Sequence, residues 1–205
     1  SIDVQSPVVA VDSISPELVG ELERHFSVVF AGNLGTAQAV ETLLEATIQL
    51  KSDPEIRLVL VGSGSRLSWL QAQKQAHQLD NLLLPGRFPM EAMPQIFERA
   101  AALLVSLKDE DIFAQTIPSK IQAYLAAGRP IIASLRGEGA RVVAEAGAGL
   151  VVDPNPEEVA AVRWVDLYDL SAEVLRCPDS FTPWLRIYLA DHMDRIFGAM
   201  SASLR

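Results

Sequence analysis

Cysteine, histidine and basic residues are all scarce in this 205-residue chain, and each shortage removes a class of function. The one cysteine, Cys177, cannot form an intramolecular disulfide, and three scattered histidines, His25, His77 and His192, offer no metal-ligand spacing. A metal-free cytoplasmic protein is the expectation. Lys and Arg number 17 against 26 Asp and Glu, a net charge of −9, and no basic cluster interleaved with aromatics offsets that field, so nucleic acid is not an expected partner. Apolar runs all fall short of the roughly 18–20 residues that a membrane span needs. Residues 1–12 lack the basic region and apolar core of an export signal, and the chain reads as soluble and unexported. Gly62-Ser63-Gly64-Ser65 is not a nucleophile elbow, and neither a P-loop ending in Gly-Lys-Ser/Thr nor an HExxH helix occurs. Hydrolase and kinase chemistry therefore have no residues to rest on.

What is present is a regular alternation. Short, almost continuously apolar runs, Phe26 to Ala31, Arg57 to Val61, Asn81 to Leu84, Ala102 to Ser106, Pro130 to Ala133 and Gly149 to Val152, suit strands covered on both faces. Between them Ala37 to Leu50, Arg66 to Leu79, Met90 to Arg99, Lys120 to Ala127 and Glu138 to Ala146 carry apolar residues at helical spacing. The pattern predicts an α/β fold, a Rossmann-like open parallel sheet of about six strands with helices on both faces. Residues 1–25, with a weak helical stretch from Pro16 to His25, read as an interdomain linker, residues 26–153 as the domain, and residues 154–205 as a helical tail (Glu157 to Leu170, then Pro183 to Met200) packing on it. The tail aromatics Trp164, Trp184 and Phe197 suit either this domain or a partner.

In such sheets ligands bind beyond the carboxyl ends of the strands. Gly32-Asn33-Leu34-Gly35 follows a strand and precedes a helix, a place for close backbone approach to a phosphate or simply for a tight turn. Gly62-Ser63-Gly64-Ser65 begins like a dinucleotide fingerprint, but Leu67 stands where its third glycine belongs and Asp80 precedes the next strand, so a nicotinamide site is rejected. A turn with Ser65 as helix N-cap is expected instead. Arg87 and Phe88, in a loop between Pro85 and Pro89, offer a planar surface to a base, or Phe88 is plain core. Gln115-Thr116-Ile117-Pro118-Ser119-Lys120 leads into a helix, where Ser119 or a neighbour caps and free amides with Lys120 form a positive site for a diphosphate; the alternative is a merely solvated Lys120.

Five pieces in this order, FAGNLGTAQAVETLLEA, IRLVLVGSGS, LLLPGRFPMEAMPQIFERAAALLVSL, TIPSKIQAYLAAGRPIIA and GEGARVVAEAGAGLVV, resemble the C-terminal domain of family-4 retaining glycosyltransferases, especially those of bacterial polysaccharide assembly. The resemblance covers roughly residues 26–153 and implies one half of a GT-B fold, the half that binds a nucleoside-diphosphate sugar of UDP or GDP type. It implies that Gly32, Asn33 and Gly35 lie against the diphosphate, that Arg87 and Phe88 border the base, and that Gln115 to Ser119 contact the sugar and ribose. No cofactor or metal is implied, and the partners are the donor and an N-terminal acceptor-binding domain, with the parent enzyme at the inner face of the membrane. The family commonly carries a Glu, seven residues, Glu pair in the fourth piece; here Gln115 and Ala123 stand there. Gln115 retains a hydrogen bond for a sugar hydroxyl and Ala123 has none for ribose, while the usual Arg and Lys near the first loop are Asn33 and Gln38. Lys120 is the chemical candidate to replace that charge, with Gln115 and Lys120 as the catalytic pair. A GT-B-like nucleotide-sugar epimerase using Asp109, Glu110 or Asp111, and a non-catalytic binding domain, are the other readings. As a glycosyltransferase, this half alone is expected to be inactive.

Overall fold

Apolar side chains point to both faces of the inner strands, so those strands must be covered twice, and the chain supplies helices for both faces, while Leu150 and Val151 of the last strand stay exposed at the sheet edge. In a computed structural model, which describes residues 14–161, the elements run α1 (Pro16–Arg24), β1 (Phe26–Asn33), a 3-10 turn (Thr36–Gln38), α2 (Val40–Gln49), β2 (Ile56–Ser63), α3 (Leu67–His77) and β3 (Leu82–Gly86). A second 3-10 turn (Met90–Ala92), α4 (Met93–Phe97), β4 (Ala102–Ser106), α5 (Asp111–Ala114), α6 (Ser119–Ala127), β5 (Ile131–Ser134), α7 (Glu138–Glu145), β6 (Gly149–Val152) and α8 (Pro156–Ala161) follow. All strands are parallel, in the order β3-β2-β1-β4-β5-β6. The expected Rossmann-like sheet with helices on both sides is the observed one.

Two buried clusters divide the sheet faces. Phe30, Leu58, Leu60, Leu82, Leu104 and Ile132 pack with Val40, Leu43 and Leu44 of α2 and Leu70 of α3. The intervening strand residues, Val29, Ala31, Val59, Val61, Leu103, Val105, Ile131 and Ala133, pack with Ile96 and Phe97 of α4, Ile121 and Tyr124 of α6 and Val143 of α7. The connections out of β1 and β2 thus lie on one face and those out of β3, β4 and β5 on the other. The change of direction falls between β1 and β4, the topological switch point where such sheets open a crevice.

Several local expectations need correction. β1 and β2 extend two residues further than their apolar runs because the ladder continues through Gly32↔Gly62 and Asn33↔Ser63. The helix expected over Ala37 to Leu50 is broken at Ala39, which is left-handed at φ 48°. The one expected over Met90 to Arg99 is divided at Met93, with Pro94 in the first turn of α4, where its missing N–H costs nothing. Ser65 is not the cap of α3: Arg66 holds that position and no side chain bonds the first turn. Likewise Ser119 lies inside α6, and Pro118 precedes it at the cap position.

Where a linker was expected, residues from Ile14 onward supply an element of the core. Ser15 Oγ accepts from the Leu18 N–H at 3.2 Å, Pro16 sits in the first turn, and Ile14, Leu18 and Leu22 are buried in the same cluster as Val29 and Ile96. At the other end, Ala160 of α8 is buried and Val159 packs against the α2 face; the remainder of the expected tail, with Trp164, Trp184 and Phe197, lies outside the described residues. Among the described residues no helix is long and apolar enough to cross a membrane. If α1 is core, Leu22→Ala should lower unfolding stability by about 2–5 kcal/mol in urea denaturation, the range for a buried leucine; a change within about 0.5 kcal/mol, as for a surface position, would return the segment to a linker.

Candidate functional site

The carboxyl ends of β1 and β2 carry two loops pressed together backbone on backbone. The Leu34 N–H donates to the Ser63 carbonyl at 2.8 Å, and the Arg66 N–H donates to the Leu34 carbonyl at 3.0 Å. A Cβ on Gly62 would lie 1.8 Å from the Gly32 carbonyl oxygen, and one on Gly64 would lie 2.4 Å from the Leu34 carbonyl oxygen, so only glycine permits the approach. The second glycine loop is therefore a structural brace for the first. The Asn33 side chain lies over both Gly35 and Gly64, with its Nδ2 and Oδ1 within 2.8 Å of where their Cβ atoms would be.

On the other side of the switch point, β1 and β4 are paired only from Val28↔Ala102 to Phe30↔Leu104. Beyond that pair the Ala31 N–H donates to the Tyr124 hydroxyl at 2.9 Å, and the hydroxyl points back at the Ala31 carbonyl at 3.5 Å. Tyr124 is fully buried, its ring edge-on to Phe97 with centroids 5.3 Å apart, and burial pushes its hydroxyl above the ordinary phenol range, so it stays protonated. This bond fixes α6 against the end of β1. One turn earlier on the same helix, Lys120 reaches over the gap: its Nζ donates to Gln38 Oε1 at 2.7 Å and stands 3.7 Å from the centroid of the Phe30 ring. A Cβ on Gly32 would stand 3.3 Å from that amine. Burial pulls the Lys120 pKa down from 10.5 to about 7.

The structure thus brings Gly32, Asn33, Gly35 and Lys120 to one place, with the start of α6 beside them. No side chain caps α6, and although the Ile121 N–H donates to the Pro118 carbonyl at 3.0 Å, the amides of Ser119 and Lys120 precede it at the helix start, where they can face an anion. Gln115 is exposed at the end of α5. Thr116 is exposed, with its hydroxyl donating to the Phe113 carbonyl at 3.0 Å, and Ile117 is 46% exposed. Arg87 and Phe88 are not in contact with this group: they follow β3, two strands or about 10 Å from β1. Arg87 is exposed, whereas Phe88 is partly buried against the core, closer to its plain-core reading.

Three participants were not assigned from the sequence. Gln38 and Tyr124 hold Lys120 and its helix, and neither contact follows from spacing, because 82 and 93 residues separate the partners. The third is Arg136, bonded to Asp109 at 2.6 Å and Asp153 at 3.1 Å, which links the loops after β4, β5 and β6. Hydrogen bonding to Asp153, with the Asp109 charge, holds its pKa above the ordinary value. Asp109 is therefore committed to an ion pair. No group of three His, Cys, Asp or Glu side chains among the described residues is placed to hold a metal ion.

Comparison with known proteins agrees with the fold. The family described as "Glycosyl transferases group 1" matches residues 25–165. Anabaena HepE, solved with UDP and glucose, superposes with a TM-score of 0.61 at 19% identity, covering 78% of this chain and 45% of HepE. The C-terminal domain of a glycosyl transferase group 1 family protein, LpcC of Francisella tularensis, superposes at 0.57 with 14% identity, covering 78% of this chain and 85% of that domain. A different likeness is short: isopentenyl-diphosphate Delta-isomerase of Dinoroseobacter shibae is 64% identical over 61 residues, 30% of this chain and 35% of the enzyme. The chain spans about a third of the length of the curated relatives it matches.

Tyr124→Phe keeps the ring packing and leaves the buried Ala31 N–H without its acceptor. The expected loss is about 1–3 kcal/mol of stability, the cost of an unpaired buried donor, with faster hydrogen exchange at the Ala31 amide; unchanged exchange there would mean that another group satisfies it.

Proposed function

The chain belongs to the glycosyl transferases group 1 family, and from that premise we propose that it is the donor-binding half of a retaining glycosyltransferase of the family-4 type, taking a nucleoside-diphosphate sugar. The observation that carries this reading is the meeting of a basic side chain, Lys120, with the glycine loop after β1 and the uncapped start of α6 at the switch point. Each of the three is a feature that holds phosphate oxygens: a positive charge, a backbone that a ligand can approach, and unpaired amides at a helix start. Support for a uridine nucleotide comes from HepE, whose structures hold UDP.

In this reading the diphosphate lies over Gly32 to Gly35, with Lys120 and the α6 amides stabilising the charge that builds as it leaves the sugar. Gln115 offers a hydrogen bond to a sugar hydroxyl. The base extends across β2 toward Arg87, a span of about 10 Å that a nucleoside diphosphate can bridge. No metal is needed, because the diphosphate charge is met by Lys120 and backbone dipoles. The acceptor and the residues that reach the anomeric carbon from the far side belong to a second domain, as the coverage of less than half of HepE suggests. A cytoplasmic enzyme of polysaccharide assembly is the corresponding cellular role. Because cleft closure excludes water and orients the acceptor, this half alone binds donor without turnover. The 61-residue likeness to the isomerases spans a third of those enzymes and supplies no part of this reading.

The test is a thermal-shift titration with UDP, GDP, ADP and TDP. One nucleotide should stabilise selectively, by about 2.7 kcal/mol at a hundredfold excess over its Kd, which is a rise of roughly 5–10 °C for a chain of this size. Lys120→Ala should weaken that nucleotide by about tenfold or more, in line with a lost charge-assisted contact. No response to any nucleotide would remove the donor-site assignment.

A further inference from the structure

We propose that, without donor and in mildly alkaline solution, Lys120 rests at the switch point as a neutral amine with no carboxylate partner and becomes the ammonium as the diphosphate arrives, so that donor binding and proton uptake are one event. The inference rests on the donor site proposed above and concerns the charge state in which that site waits.

The surroundings of the amine are unusual for a lysine. From the 3-10 turn it has one neutral acceptor, Gln38 Oε1 at 2.7 Å; from β1 it has the Phe30 ring face at 3.7 Å and the backbone of Gly32. The titratable side chains on the adjoining segments are Glu41 in the first turn of α2 and Lys108, Asp109, Glu110 and Asp111 after β4. No carboxylate among the described residues comes within the 4.0 Å ion-pair distance of Nζ. Two of the acids are engaged elsewhere, Glu41 with Arg66 at 2.6 Å and Asp109 with Arg136 at 2.6 Å. An ammonium here has exchanged water for one amide oxygen and an aromatic face, which recover part of its hydration but not all. The amine pKa falls accordingly, to about 7.

A diphosphate changes that balance, because negative oxygens a few ångströms away favour the charged form. The nitrogen lone pair takes a proton from the buffer, the amine becomes an ammonium, and no other bond is made or broken. Between about pH 7 and 9 affinity should then fall toward tenfold per pH unit, since above the free amine's pKa each binding event must recruit its proton. The resting fold shows the same group in another way. Its pKa is lower folded than unfolded, so the unfolded chain binds more protons and ligand-free stability rises as pH increases from about 7 toward 10.5.

The decisive experiment is isothermal titration of the 205-residue chain with UDP and with GDP at pH 8, in HEPES and in Tris, whose different ionisation enthalpies reveal protons exchanged. At that pH the terminal phosphate of the nucleotide, with a second pKa of about 6, is already ionised. Close to one proton taken up per nucleotide bound is expected. None should be taken up by Lys120→Arg, whose guanidinium does not deprotonate, or by Gln38→Glu, which sets a carboxylate beside the amine. Equal heats in the two buffers with wild-type binding intact would overturn the inference and leave the donor site standing. Uptake that persists in Lys120→Arg would assign the proton to another group and overturn it too. Binding of neither nucleotide at pH 6.5 or pH 8 would remove both readings. A ligand-free check is the rise in melting temperature from pH 7 to 10, which Lys120→Met should reduce and which, if unaltered, counts against the proposal.

Discussion

The parting of β1 from β4 is the constraint on which the rest of this structure depends. Parallel strands are held by evenly spaced backbone hydrogen bonds, and here that pairing stops after Phe30↔Leu104, at the point where the chain reverses its direction of winding. A parted pair of central strands exposes backbone amides in the middle of the molecule, where an unpaired N–H is costly. The Tyr124 hydroxyl meets the Ala31 N–H and so converts the gap from a defect into a fixed notch. Since Tyr124 is borne by α6, the same bond sets where that helix begins relative to the glycine loop.

Two consequences meet in the notch. On the β2 side, Gly62 and Gly64 let the second loop lie directly under the first, so the backbone of Gly32 to Gly35 is supported by main-chain contacts rather than by side chains that a ligand would have to move. On the β4 side, Lys120 crosses the gap one turn before Tyr124 and finds Gln38 and Phe30 instead of a carboxylate. A site for a diphosphate leaving group needs positive charge and limited water, and these requirements oppose each other for lysine. Burial that strengthens the eventual contact with phosphate also weakens the charge of the waiting amine. Arg66 avoids the conflict by pairing with Glu41 and lying on Trp69, and its role is to hold the supporting loop.

Much of the fold was legible in order and type. Continuous apolar runs at Arg57 to Val61 and Ala102 to Ser106 announce strands buried on both faces, and the helical spacing between them requires crossovers, which leaves few sheet topologies. The misreadings are local and have local causes. Ser65 and Ser119 are good capping residues by type, yet the loop contacts around Leu34 and the ring of Pro118 place Arg66 and Pro118 at the caps instead. The stretch before Phe26 is short, with Ile14, Leu18 and Leu22 buried and Val19 packed beside them, too few apolar positions to distinguish a docked helix from a linker by periodicity alone.

The sequence by itself determined the α/β class, the strand order in time, and the loops at strand ends where glycine, proline and lysine collect, because those depend on residue type and on spacing over a few positions. Tertiary structure alone decided which of those loops meet. Gln38 with Lys120, Ala31 with Tyr124 and Arg136 with Asp109 and Asp153 are contacts between elements brought together by the winding of the sheet, and the charge state of Lys120 follows from that enclosure. Intrinsic chemistry is carried by a residue wherever it stands, but pKa and partnership belong to its surroundings, and only the folded chain creates those.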